Sequence, residues 1–311
     1  MRNRLWIALA VVVLLLVAAY FAAGWYFSGI AIAPPTRPLA EAQAQTGVPA
    51  DFGLPQPEEI AIDTGEVILR GWYFDNPSDG NCGMMFMHGF TGTRYEALYW
   101  APLFWERGCD ILAYDHRGHG ESSEAFLTYG VNEKEDALAA RNWFAEHAGL
   151  DTSRIAVGGV SYGAATALQL APQIPDAPFV LADSSYSSMP AIVRVRADAL
   201  LGSALGGLLT PGALWIAGQR ANFDPAAAAP ESTIGGAQIP VLLIHSRTDN
   251  FTPYTHSEDI YANSDAARTV LHINDWGSLH AADIATDFAA YKTLFEAFLA
   301  QYAPDFGLST D

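Results

Sequence analysis

The chain has 311 residues, half of them hydrophobic and 16% charged, with a formal net charge of −18. That composition excludes a disordered polymer and leaves room for one large core. The negative balance, with no Lys/Arg cluster to offset it, argues against nucleic-acid binding and reads as a solvated acidic surface.

Leu5 to Phe27 is a run of 23 positions without a charge. As a helix it spans about 34 Å, enough to cross a bilayer core. Arg2 and Arg4 precede it, and Trp25 and Tyr26 stand near its far end as interfacial anchors. Residues 1–30 are therefore expected to be a membrane anchor. The alternative is a cleaved signal peptide, for which Ala22-Ala23-Gly24 offers small residues. However, the apolar region exceeds the roughly 7–15 residues of a signal core. In either case the positive end stays inside, so the remainder is sent out of the cytoplasm. Residues 31–57, rich in Pro, Ala and Gln, read as a linker lifting the next domain off the membrane.

Two strands are expected at 59–63 and 67–74, with Thr64-Gly65 as the turn. A short apolar strand, Gly83–Met87, ends at His88-Gly89-Phe90. Tyr95 to Arg107 carries apolar residues at helical spacing. Asp110–Tyr114 is another apolar strand. Residues 132–147 read as a helix, with Asn132 and Glu135 placed as a capping box. A strand at 154–158, a helix at 162–170, and strands at 179–182, 241–245 and 269–273 follow, and 281–302 closes the chain as a long helix. Strands alternating with helices imply a mostly parallel sheet covered on both faces. Residues 184–240 interrupt the pattern. They offer no strand but two apolar stretches, 191–205 and 208–221, expected to be helices of an insertion over the cleft.

Cys82 and Cys109 each lie six residues before a comparable landmark, His88 and Asp115. If their strands are neighbours in register, the two cysteines face each other at the opposite end of the sheet. A disulfide there suits an extracytoplasmic domain, and two buried thiols remain the alternative.

The chemistry centres on Gly159-Val160-Ser161-Tyr162-Gly163, which follows an apolar strand and opens a small-residue helix. The context strand–turn–helix is what gives this G-x-S-x-G pattern meaning. A serine hydroxyl needs a base within hydrogen-bond reach and a group that orients the base. Asp249, in the loop after the strand at 241–245, is the expected acid, with Asp183 as its rival. His280, in the loop between the last strand and the last helix, is the expected base. His88, His116, His119, His147, His245, His256 and His272 lie on strands, helices or other turns. The oxyanion donors are expected to be the backbone N–H groups of Tyr162, next to the nucleophile, and of Phe90. Phe90, Tyr95, Tyr186 and Trp276 are candidates to line an acyl pocket. No His-Glu-x-x-His, Cys/His cluster, Walker motif or G-x-G-x-x-G follows a strand, so the reaction is expected to need no metal and no cofactor.

With these residues assembled, the chain resembles the α/β-hydrolase superfamily, and within it the membrane-anchored serine hydrolases similar to monoacylglycerol lipases and serine aminopeptidases. The resemblance runs from about Glu58 to Ala300. It rests on Met87-His88-Gly89-Phe90, on Asp115-His116-Arg117-Gly118-His119-Gly120-Glu121-Ser122, on the Ser161 pentapeptide and on His280. The acid loop departs from the family's H-G-x-x-D pattern, since Ser246 stands where glycine is usual. The resemblance implies an α/β fold: a mostly parallel eight-stranded sheet with helices on both faces, spanning residues 58–305, with a small helical cap at about 186–238. It implies a serine hydrolase acting on carboxylic esters or thioesters through Ser161, His280 and Asp249. The expected partners are a small acyl-ester or lipid-like substrate and the membrane. A peptidase or amidase on the same fold, and a non-catalytic membrane-anchored binding protein, are the rival expectations.

Overall fold

The computed structural model describes residues 2–78 and 80–307. A helix of 31 residues, α1 (Arg2–Ile32), precedes a short helix, α2 (Leu39–Thr46). The sheet strands are β1 (Glu58–Asp63), β2 (Ile68–Phe74), β3 (Gly83–Met87), β4 (Asp110–Tyr114), β5 (Ile155–Val160), β6 (Val180–Asp183), β7 (Val241–Ser246) and β8 (Thr269–Asn274). Interleaved with them are α3 (Ala101–Trp105), α4 (Glu133–Ala148), α5 (Tyr162–Leu170), α6 (Met189–Leu201), α7 (Ser203–Ala221), α8 (Pro230–Thr233) and α9 (Thr255–Ala262). The chain ends with α10 (Asp283–Thr286) and α11 (Phe288–Tyr302).

The eight strands form one sheet in the order β1-β2-β4-β3-β5-β6-β7-β8. β2 pairs antiparallel with both β1 and β4, and all pairings from β4 to β8 are parallel. Side chains alternate between faces along a strand, and both faces are buried. Met85 and Met87 of β3 join Phe144 of α4 and Leu168 of α5 in one core. Met84 and Phe86 point the other way, into a second core with Phe104 of α3 and Phe295 of α11. All the parallel strands therefore deliver their C-terminal ends to one edge, where ligands bind in open α/β sheets.

Strand limits differ from the sequence expectation by a residue or two, and the site depends on one such shift. β5 runs on through Gly158 and Gly159 to Val160, so the strand carries the chain right up to Ser161.

Four local expectations are corrected. First, Asn132 does not cap α4. Its backbone is already helical (φ −91°, ψ −31°) and its side chain makes no cap bond. The neighbouring Glu133 carboxylate instead accepts from Thr128 N–H, Thr128 Oγ1 and Gly130 N–H at 2.7–2.8 Å, pinning the preceding loop. Second, the closing helix is broken, because Asp287 accepts from Ala290 N–H at 2.9 Å and starts α11 afresh. Third, residues 94–105 form a 3₁₀ turn followed by the short α3, with Pro102 in its first turn. Fourth, residues 31–57 are not a free linker. Ile32, Ala42 and Leu54 are buried, and Arg37 N–H donates to Thr91 O at 3.0 Å. The segment is strapped across the domain.

Cys82 and Cys109 precede the paired residues Gly83 and Asp110 and form a disulfide, with Cα atoms 4.6 Å apart. Between β6 and β7 the chain is helical, with α6 and α7 as an antiparallel hairpin turning at Gly202. A third apolar cluster lies beneath this hairpin and joins Ile32 at the end of α1, Tyr162 of α5 and Ala217 of α7.

Candidate active site

Ser161 stands at the turn between β5 and α5 with φ 52° and ψ −109°, a conformation rare for a residue with a side chain. Such backbone strain costs roughly 1–3 kcal/mol and persists only where surroundings enforce it. Here they do. Ser161 N–H donates to Asp183 O at 2.7 Å, and Ser161 O accepts from Ala165 N–H at 2.9 Å. The flanking glycines are dictated by space. A Cβ on Gly159 would lie 2.5 Å from Gly163 C, and one on Gly163 would lie 2.2 Å from Met87 O.

The hydroxyl of Ser161 is 2.9 Å from His280 Nε2, and His280 Nδ1 is 2.7 Å from Asp249 Oδ2. Asp249 Oδ1 accepts from Phe251 N–H and Thr252 N–H at 2.8 and 2.9 Å. Burial alone would raise the Asp249 carboxyl, but hydrogen bonds from His245 and His280 outweigh it and hold the group well below the usual carboxylate range. An acid kept ionised in this way fixes His280 with its proton on Nδ1 and leaves Nε2 free to accept from serine.

The acid and base loops are stitched together by the residue that departs from the family pattern. Ser246 Oγ donates to Ser278 O at 2.7 Å, and Thr248 Oγ1 donates to the same oxygen at 2.8 Å. Ser278 Oγ in turn bonds to Asp283. The ring of Phe251 stacks on His280 with centroids 4.9 Å apart, and the Arg196 guanidinium from α6 sits 3.8 Å above Phe251.

The loop 88–92 passes beside the serine: a Cβ on Gly89 would lie 3.5 Å from Ser161 Cβ. Its shape is held at several points. Gly89 N–H donates to Glu96 Oε2 at 2.8 Å, and Gly92 N–H donates to Gly89 O at 3.0 Å. Thr91, at φ 61°, donates its N–H to His119 Nε2 at 3.2 Å. His88, His116 and His119 pack together behind this loop, and burial lowers all three below the ordinary imidazole value. Neutral rings are what the loop requires, since a protonated His119 would no longer accept from Thr91. Among the described residues the N–H groups of Phe90 and Tyr162 have no hydrogen-bond partner within the protein. Tyr162 is the first residue of α5, so its N–H belongs to the positive end of that helix.

Two cavities meet at Ser161. One, of about 230 Å³, is almost wholly apolar and lies between α1, α6, α7 and Phe90, with Phe27, Ile30 and Leu200 among its walls. The other, of about 520 Å³, is more polar and holds Arg37, Glu96 and His280.

Ser161, His280 and Asp249 are brought together as expected from the chain order. The rival acid, Asp183, is buried to one side, where its carboxylate accepts from Ser184 Oγ at 2.8 Å. Of the four aromatic candidates for the pocket, Phe90 and Tyr186 line the apolar cavity. Tyr95 packs on Trp72 in the core with centroids 4.5 Å apart, and the half-buried Trp276 packs against His272 and Tyr291 at the core's edge. Sequence reasoning missed His245, Phe251, Arg196 and the contribution of α1. The His245–Asp249 spacing of four was visible, but nothing in it distinguishes a strand residue that turns back on its own loop.

A family model described as the alpha/beta hydrolase fold matches residues 84–203. The chain has the α/β-hydrolase fold. An esterase of Pyrococcus furiosus, Pf2001, superposes with a TM-score of 0.67 at 23% identity, covering 82% of this chain and 94% of that one. The acylaminoacyl peptidase of Pyrococcus horikoshii gives a TM-score of 0.60 at 19% identity over 79% of this chain and 41% of its own. In sequence, the uncharacterized protein YqkD of Bacillus subtilis is 29% identical over 243 residues, 74% of this chain and 75% of that protein.

Proposed function

We propose that this α/β-hydrolase-fold chain is a membrane-anchored serine hydrolase that cleaves carboxylic esters or thioesters through an acyl-enzyme on Ser161. The observation that carries the reading is the continuous hydrogen-bond chain from Asp249 through His280 to Ser161, ending at the junction of an apolar and a polar cavity. His280 Nε2 accepts the Ser161 proton as Oγ attacks the carbonyl carbon. The oxyanion then receives the N–H groups of Phe90 and Tyr162, each such donor contributing about 3 kcal/mol in comparable sites. His280 gives its proton to the departing alkoxide or thiolate. A water molecule attacks the acyl-enzyme with His280 again as base, and the acid leaves with Ser161 restored.

The two cavities suit an ester with an apolar acyl group and a more polar leaving group. Glu96 is the carboxylate in the polar cleft, where Gly89 N–H and Arg37 engage it. Among the described residues no other acidic side chain lines this cleft to hold a free amino terminus, which favours esters over aminoacyl amides. The length of α1, its uncharged run from Leu5 to Phe27 and the flanking arginines support a retained single-pass anchor with residues 58–305 outside the cytoplasm. The membrane localisation is tested by carbonate extraction and by protease access in intact cells.

The deciding experiment is hydrolysis of p-nitrophenyl butyrate beside a ladder of aminoacyl amides, with wild type and Ser161→Ala. Ester turnover that vanishes in the variant is the expected result. Undiminished turnover, or no labelling of Ser161 by a fluorophosphonate, overturns the reading.

A further inference from the structure

α1 does more than precede the domain. It packs along α7 through small residues: a Cβ on Gly24 would lie 2.8 Å from Ile216 Cδ1, and one on Gly212 would lie 2.6 Å from the Tyr20 hydroxyl. The ring of Phe21 meets Trp215 with centroids 6.3 Å apart. Higher up, Arg220 Nη1 donates to Trp25 O at 3.1 Å and to Ser28 Oγ at 2.8 Å. The pairs Tyr20–Gly212, Gly24–Ile216 and Ser28–Arg220 keep one offset, 212 − 20 = 216 − 24 = 220 − 28 = 192. The two helices therefore run parallel, and their contact lies within and just beyond the apolar run that ends at Phe27. From Gly212 back to Gly202 the hairpin continues for up to about 15 Å in the direction of the α1 N-terminus.

This part of the hairpin has the chemistry of a lipid-facing surface. Residues 199–219 contain no charged side chain. Outside α1, eight large apolar side chains among the described residues are exposed, and four of them are Leu200, Leu205, Leu208 and Trp215. Leu205, Leu208 and Trp215 fall within about 80° of one another on the helix, a single stripe. Arg194 and Asp198 pair at 2.7 Å on the adjoining helix, so these two charges offset each other beside the stripe. The apolar cavity opens between these same elements, with Phe27 and Ile30 of α1 and Leu200 and Leu209 of the hairpin lining it and Ser161 at its inner end.

We infer that the exposed stripe of the α6–α7 hairpin is seated in the bilayer alongside the membrane-spanning α1, and that the apolar cavity draws the acyl chain of a lipid ester directly from the bilayer. The substrate class rests on the ester-hydrolase reading above, while the seating of the hairpin does not. The anchor is then one wall of the substrate pocket.

The test uses the full chain in phosphatidylcholine vesicles. Cys82 and Cys109 are joined, so Leu205→Cys supplies a single free thiol for an environment-sensitive fluorophore. Quenching by nitroxide-bearing lipid, with little quenching by aqueous iodide, is expected. Dominant iodide quenching, or protection from both quenchers as by a covering protein or a second copy, overturns the seating. In parallel, Leu205→Asp/Leu208→Asp is compared with wild type on 4-methylumbelliferyl oleate in the vesicles and on soluble p-nitrophenyl butyrate. A loss of tenfold or more on the oleate with butyrate turnover unchanged is expected. An equal effect on both substrates, or none on either, overturns delivery from the bilayer. If wild type hydrolyses neither ester, the ester-hydrolase reading and the substrate class fail, and the label depth still decides the seating.

Discussion

His245 Nε2 lies 3.2 Å from Asp249 Oδ2, the same oxygen that receives His280 Nδ1. The other nitrogen, Nδ1, is 2.7 Å from Ser257 Oγ, and Nε2 also lies 2.8 Å from Thr252 O. One tautomer satisfies all three: Nε2–H donates to Thr252 O and Asp249, and Nδ1 accepts from Ser257. His245 thus positions the acid from behind. His245→Leu is expected to lower kcat about tenfold, the worth of one hydrogen bond to a charged group, and to leave KM within about twofold. His245→Gln, which keeps an amide donor, is expected to recover part of the loss. Steady-state kinetics on a short ester check this, and equal losses in both variants count against it.

The two candidate acids separate by substitution and by pH. Asp249→Asn is expected to lower kcat by roughly 10⁴-fold, because the amide no longer holds the imidazole in its productive tautomer. Asp183→Asn is expected to keep activity within a few-fold. Burial raises the Asp183 carboxyl well above its ordinary value, and the nearby Asp283 carboxylate adds to the rise. A carboxyl raised by folding favours the fold when protonated. Its contribution is complete below the unfolded value near about 4 and is lost as pH climbs through the folded value. Asp183→Asn should therefore raise Tm at pH 8 and leave it nearly unchanged at pH 4. Thermal melts across that interval test the sign, and a Tm gain confined to acid would reverse it.

The legible part of this molecule was written in local signals. The apolar β-branched run Ile155–Val157, the two glycines around Ser161 and the chain order of Ser161, Asp249 and His280 each follow from backbone space or from the order in which the strands deliver their ends. What stayed hidden depends on contacts between distant segments. Nothing local announces that Gly24 and Gly212 face each other, or that Ala42, itself within the proline-rich stretch, is buried against the domain. Asn132 looked like a cap because its residue type suits one, yet the loop 128–130 had already claimed the Glu133 carboxylate and carried Asn132 into the helix. Asp287 had the right chemistry to cap a helix, but its apolar surroundings concealed the break.

The disulfide closes a loop with a sequence separation of 27 between the first ends of β3 and β4. Loop-closure entropy gives about 3.5 kcal/mol for a loop of this size. Cys82→Ser/Cys109→Ser is expected to lose about that much stability in urea denaturation. Ser161 stands at the opposite ends of the strands, so the folded variant should keep its ester kcat. A folded variant with impaired kcat would show that strain passes along β3 to the loop at Gly89.

Arg196 and Phe251 link the cap to the base. The guanidinium covers the Phe251 ring, and the ring lies flat against His280. A cation–π contact of this kind is worth about 0.5–2 kcal/mol, and stacking restrains His280 from swinging away from Ser161. Arg196→Ala is expected to lower kcat on a short ester by less than about tenfold, and Phe251→Ala by more, since the second removes the surface against the imidazole. Because Arg196 acts through Phe251, the double variant should be no worse than Phe251→Ala alone. A double-mutant cycle measures this directly: losses that multiply would mean that Arg196 reaches the chemistry by another route, through the wall of the apolar cavity it also lines.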